Sequence, residues 1–250
     1  MAIVFGNGID IDSGIWIGAD PPNLYTPLAG SLQFNGSSQY LSMSPGMTLA
    51  AGAFTIEGWF YNTGNQTNRP ILGTDQSLGM SAHLSDNATV VLDRYGGGYA
   101  PSYGFPVGTF KTNQWQYMVI NRNASLLETM WVGTFSNTAT YVTCTRATSA
   151  TGGGSPSGGT QTDSQTWGNS NWVGRFYGGY WPGFITNLRI TTGAAVYDST
   201  SATITAPSAP LASGANTKYL MLGAVVTTDT SGTQTVTNNG TVIQSATVPF

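Results

Sequence analysis
Hydrophobic and polar positions alternate over much of this chain, most regularly in WPGFITNLRITTGAAVY, Trp181 to Tyr197. Read with a strict period of two, Phe184, Thr186, Leu188 and Ile190 lie on one face, and Ile185, Asn187 and Arg189 on the other. That period, with β-branched and aromatic residues, predicts a strand with one face on a core. Pro182-Gly183 and Thr192-Gly193 punctuate its two ends. AFTIEGWFY at 53–61 repeats the pattern, with Phe54, Ile56 and Phe60 on one face and Trp59 on the other. SLQFNGSSQYLSM at 31–43 puts Leu32 and Phe34 together before a turn at Asn35-Gly36, with Tyr40 and Leu41 opening a return strand. Such a run predicts a hairpin. ILGT at 71–74, WQYMVINRN at 115–123 and TMWVGT at 129–134 supply further strands.

Around this central block the pattern changes. Residues 1–29 form an arm, IVFGNGIDIDSGIWIG holding one or two short strands and Asp20-Pro21-Pro22-Asn23 a linker. An apolar arm of that type suits docking on a neighbouring subunit. Residues 147–170, ATSATGGGSPSGGTQTDSQTWGNS, are too polar to bury and read as a long loop. Residues 213–250 close the chain, and Asn239-Gly240 between alternating Thr and Val is a hairpin signal. Strands in this tail need partners, because an open edge exposes unpaired N–H and C=O groups. The expected partner is the 31–43 segment of the same chain; the alternative is that the tail completes a neighbour's sandwich.

Composition narrows the class. Of 250 residues only 8% are charged, while 33 are glycine, so polarity comes from Ser, Thr, Asn, Gln and Gly, which favour strands and turns. A net charge of −3 leaves no basic stripe for phosphates, so nucleic acid is not an expected partner. No apolar run reaches the ~20 residues a membrane span needs. MAIVFGNGIDIDSG lacks the basic start and apolar stretch of an export signal. This composition, usual on extracellular and virion surfaces, without such a signal, fits a protein assembled inside a cell and released on a particle. The single cysteine, Cys144, permits no intrachain disulfide and reads as a small buried apolar side chain.

The run from Trp181 resembles the late core strand of laminin-G-like domains of the concanavalin-A-like superfamily: an aromatic-Gly-x-Ile-x-x-Leu-Arg-Ile stretch followed by Gly/Ala and a Tyr. Its continuation, TGAAVYDSTSATITAPSAPL, is most similar to the form found in bacteriophage structural proteins. WQYMVINRN resembles a second strand of the family, and the likeness extends over residues 30–212. Two departures stand out: Gly133-Thr134 in place of the usual Asp-Gly turn, and Asn187 where an Asp is common. The resemblance implies an all-β antiparallel sandwich, a jelly roll, with the arm at 1–29 and the 213–250 strands as extensions. It implies a virion component, as capsid decoration or in a tail or fibre, at the virion surface. Other virion proteins, further copies of the chain and host surface glycans are its expected partners. A free carbohydrate-binding lectin and a glucanase-type hydrolase are the alternatives.

Catalytic chemistry is thinly represented. A retaining glycosidase needs two carboxyl groups ~5 Å apart, yet the two glutamates are Glu57 and Glu128, and Glu57 has no acidic neighbour two residues away. His83, in the polar run SAHLSDN, is the only histidine and reads as a turn residue, so no enzyme is expected. Calcium would take Asp75, Asp86 and Asp93, but they are few and scattered, and no cofactor is expected. Aromatics among glycines are the better signal, because sugar C–H faces stack on rings. Tyr95, Tyr99, Tyr103, Trp167 and Tyr177 are the candidate glycan contacts, whereas Trp172, Tyr180 and Trp181 read as packing.

Overall fold
The computed structural model describes residues 25–49, 52–64, 69–73, 79–84, 90–95, 103–104, 111–137, 139, 141–147, 149–150, 160–162, 167–176 and 178–250. The first strands are β1 (Ser31–Asn35), β2 (Tyr40–Leu49), β3 (Phe54–Asn62), β4 (Arg69–Gly73), β5 (Gly79–Leu84), β6 (Val90–Tyr95) and β7 (Tyr103–Gly104). Next come β8 (Trp115–Arg122), β9 (Leu127–Thr134), β10 (Thr143–Arg146), β11 (Ser149–Ala150), β12 (Thr160–Thr162) and β13 (Trp167–Val173). The chain ends with β14 (Arg175–Phe176), β15 (Gly179–Tyr180), β16 (Pro182–Thr192), β17 (Thr203–Thr205), β18 (Thr217–Met221), β19 (Thr235–Asn239) and β20 (Ile243–Ser245).

Two antiparallel sheets carry the architecture. The larger has ten strands, in the order β17-β10-β9-β8-β3-β16-β1-β20, with β12 added on β9 and β18 on β16. The smaller has six, β19-β2-β13-β4-β5-β6. One buried apolar cluster joins their inner faces, with Leu32, Phe34, Phe54, Ile56, Ile120, Ile185 and Leu188 from the large sheet and Leu41, Met43, Ile71, Leu72 and Val173 from the small one. Each such side chain contributes about 1.5–3 kcal/mol on leaving water. The fold is therefore the expected all-β sandwich, and no helix is present among the described residues.

Several local expectations are corrected. β1 and β2 do not pair: β1 lies between β16 and β20, while β2 lies between β13 and β19. The Asn35-Gly36 turn is an arch from one sheet to the other, with Gly36 at φ 73° and Asn35 Oδ1 accepting from the N–H groups of Ser37, Ser38 and Gln39. Asn239-Gly240 makes a second arch, since β19 pairs with β2 and β20 with β1. Turn chemistry reports that the chain reverses and is silent on which sheet receives it. The tail thus pairs within its own chain, beside both halves of the 31–43 segment.

In β16 the strict alternation breaks. Asn187 adopts φ 54° and the register against β3 slips between Thr186 and Arg189, a β-bulge. Ile185, Leu188 and Ile190 therefore face the core, while Phe184 joins the outer side. Gly58 sits opposite the bulge, where a Cβ would come within 3.2 Å of Leu188 Cα. Gly133, expected in a turn, lies within β9, and a Cβ there would meet Thr143 O at 2.7 Å. The polar run 147–170 is not all loop, because β11, β12 and the start of β13 fall in it. His83 lies in β5, opposite Val91 of β6, rather than in a turn.

Candidate functional site
The outward faces of the two sheets differ in what covers them. On the large sheet, Trp59, Trp115, Tyr117, Val119 and Trp131 form a second buried cluster with Leu28, Val142, Cys144 and Ala206. Tyr25, at the start of the described chain, stacks on Phe250 at 4.5 Å, and Phe250 packs edge-on against Trp59 at 5.6 Å. Residues 25–28 and Phe250 thus close over the same patch, with Leu28 N donating to Phe250 O. The segment 193–212, which includes the edge strand β17, reaches the rest of this face through Tyr197, Ser199, Ser201 and Leu211.

Beneath that segment sits a buried polar network. Glu57, fully buried, accepts at Oε1 from Arg189 Nε (2.8 Å) and Nη2 (2.5 Å), and at Oε2 from the hydroxyls of Tyr117 (2.5 Å) and Tyr197 (2.6 Å). Burial, reinforced by the Glu57 charge, raises both tyrosine pKa values. Asn121 Nδ2 donates to Tyr197 O and Ser199 Oγ, and Trp131 Nε1 donates to Ser201 O. Asn187, the departure from the Asp common in the resembling family, accepts at Oδ1 from Leu211 N at 2.8 Å. The bonds to Tyr197, Ser199, Ser201 and Leu211 fasten residues 197–211 onto the sheet, while Arg189 and Tyr117 tie Glu57 to its neighbouring strands. Burial pushes the Cys144 thiol up to about 12, so it behaves as the inert apolar side chain its sequence position suggests.

The small sheet shows a different surface. Along its outward side, Asn239 of β19 lies opposite Tyr40 of β2, and Ser42 of β2 lies opposite Trp172 of β13. The β14–β15 hairpin folds over Gly73, where a Cβ would come within 2.4 Å of Arg175 O, so only glycine allows this crossing. The hairpin delivers Arg175 into a ring of aromatics: its Cζ stands 4.2 Å from the Trp172 ring centroid, 4.6 Å from Tyr40 and 5.6 Å from Tyr180. Tyr40 meets Trp172 edge-on at 5.7 Å. All four side chains are half-buried. Among the described residues the Arg175 side chain makes no hydrogen bond or ion pair, and its Nε is buried without a partner.

Arg175 and Tyr40 were absent from the candidates that the sequence suggests. The available signal was an arginine inside an aromatic-glycine run, in a chain with only 8 basic residues. Trp181 is packing, as expected: it is fully buried against Phe60. Trp172 and Tyr180, expected as packing too, keep partial exposure around the guanidinium. Of the expected glycan contacts, Tyr99 and Tyr177 lie outside the described residues. Tyr95 ends β6, Tyr103 starts β7 and Trp167 starts β13, each described by its backbone alone. Asp75 and Asp86 also lie outside the described residues, and Asp93 is placed in β6 by its backbone. Among the described residues no three His, Cys, Asp or Glu side chains gather as a metal site would require.

Two packed antiparallel sheets, in which the late strands β19 and β20 pair with the early strands β2 and β1, define a lectin-type β-sandwich. The chain belongs to the concanavalin A-like lectin/glucanases superfamily, whose laminin-G-type family model matches residues 35–198. Among solved structures, it is similar to "a putative carbohydrate binding protein" from Bacteroides ovatus, at 16% identity and a TM-score of 0.54, over 88% of this chain and 61% of that one. It thus spans less than two thirds of that protein. It is also similar to domains LG4-5 of the mouse laminin alpha1 chain (15% identity, TM-score 0.44, 71% of this chain and 46% of that one). A heptameric SAP-like pentraxin from Limulus polyphemus matches at 9% identity and a TM-score of 0.43, over 69% of this chain and 80% of that one. No curated protein matches.

Proposed function
We propose that this chain is a non-catalytic glycan-binding sandwich carried as a structural component of a bacteriophage particle, in capsid decoration or in a tail or fibre. The observation behind binding is the open-face cluster of Tyr40, Trp172 and Tyr180 around Arg175. Half-exposed rings offer flat apolar faces to a pyranose, and Ser42, Asn239 and the guanidinium offer hydrogen bonds beside them. Hydrolysis is left out because Glu57 is enclosed by Arg189, Tyr117 and Tyr197. Glu128 is also two strands away, since β8 lies between β3 and β9. The particle context draws on the likeness of residues 192–211 to phage structural proteins and on the low-charge composition.

A glycan array tests the binding reading. The native chain should retain oligosaccharides without cleaving them, and Trp172→Ala should lose them while melting cooperatively. A native chain that binds no oligosaccharide would overturn it. Copy number in purified particles tests the context: many copies mean decoration, few mean tail or fibre, and none leaves a free lectin.

A further inference from the structure
We infer that the open-face cluster is a subsite for an acidic sugar, with Arg175 reading the sugar's carboxylate; this rests on the glycan-binding reading above. A guanidinium whose faces engage rings has its N–H edge left for hydrogen bonding. Among the described residues that edge is unclaimed: the Arg175 side chain donates to none of them and pairs with no acid, while Nε is buried without a partner. Arg189, by contrast, spends its donors on Glu57 and Ala212 O, and Arg146 donates to Thr200 O.

Leaving a buried donor such as Nε unmet is costly, and the planar fork of the half-buried guanidinium matches a carboxylate with two parallel hydrogen bonds. The described side chains around it are neutral: Tyr40, Ser42, Trp172, Tyr180 and Asn239. No acid among them repels an incoming anion. A single guanidinium held by rings suits one carboxylate on one pyranose, whereas densely sulfated chains are held by several cations. The arrangement thus pairs a stacking platform for the sugar ring with a fixed cation for its carboxylate, as a uronic acid requires.

The test is titration calorimetry of the full chain with three oligosaccharides of equal length: a polyuronate, a neutral glucan and a sulfated glucan. The polyuronate should bind at least ten-fold more tightly than the neutral glucan. Arg175→Gln should bring it down to the neutral level, and Arg175→Lys should keep part of the preference; melting temperature and tryptophan fluorescence report that both variants are folded. Equal affinity for uronate and neutral glucan, or an uronate preference that survives Arg175→Gln, overturns this inference and leaves glycan binding standing. Tighter binding of the sulfated glucan also overturns it. Binding of none of the three overturns both readings together.

Discussion

The outward faces of the two sheets hold similar chemistry in opposite conditions. Each has an arginine, tyrosine hydroxyls and tryptophan rings. On the large sheet, Arg189 reaches Glu57, Tyr117 and Tyr197 complete the carboxylate's hydrogen bonds, and residues 193–212 close over them. On the small sheet, Arg175 has rings but no acceptor, and no described segment lies over it beyond its own hairpin. A polar group that the chain itself satisfies is part of the structure; one left unmet on an open surface is available to something else. The comparison thus gives one face a stabilising network and leaves the other as the surface on which the proposed recognition rests.

The hardest way to break this contrast is at Glu57. Replacing it by Ala leaves Arg189 without its carboxylate and the hydroxyls of buried Tyr117 and of Tyr197, in the covering segment, without their acceptor. Removing one partner of a buried pair costs about 3–5 kcal/mol. Glu57→Ala should therefore shift urea unfolding by that amount. A loss within about 0.5 kcal/mol, the usual range of a surface change, would show that the large sheet's outer face is not sealed.

The core beneath both faces gives a second test. Ile185→Ala removes a fully buried side chain between the sheets and should cost about 2–5 kcal/mol. Phe184→Ala, in the partly exposed margin of the outer cluster, should cost less. Equal losses at the two positions, measured by the same unfolding curves, would remove the bulge at Asn187 as the element that sets the facing.

That reversal shows what the sequence could and could not say. The strands themselves were legible, because alternation and β-branched content are local properties. Phe54, Ile56, Phe60 and Trp59 face as their spacing implies, since β3 is regular there. The facing of Phe184 and Ile185 was not legible, because one left-handed asparagine resets the phase of everything before it. Asn35-Gly36 and Asn239-Gly240 announced reversals, but pairing partners depend on strands far away in sequence. The open-face cluster was missed for a similar reason. Tyr40, Trp172 and Arg175 come from three elements, and their meeting depends on Gly73 letting the β14–β15 hairpin cross β4.

Alkaline pH separates the faces by a different route. Cys144 is raised to about 12 from its ordinary 9.0, and Tyr117 and Tyr197 are raised above 10.0, all within the sealed face. Groups whose pKa is higher in the folded state hold their proton more tightly there. Their contribution is complete below the unfolded values and is lost as pH rises towards the folded ones. The melting temperature should stay level from pH 7 to 9, then fall between 9 and 12. Cys144→Ala should remove the earliest part of that fall. A melting temperature still level at pH 11 would mean that these groups reach solvent in the folded state.

The smallest effect is expected at Arg175, and it decides the comparison. Arg175→Ala deletes contacts with three rings but, among the described residues, no side-chain hydrogen bond and no ion pair. A cation over an aromatic ring at a partly exposed site contributes about 0.5–1 kcal/mol. Against that loss stands the relief of a buried, unpaired Nε, which costs the native protein something to keep. The two terms oppose each other, so the net change in unfolding free energy should stay within about 1 kcal/mol. Glu57→Ala and Arg175→Ala, measured side by side, should then differ several-fold although each removes one charge. A loss at Arg175 as large as that at Glu57 would make the ring cluster a structural brace. The two faces would then differ in their covering but not in their role.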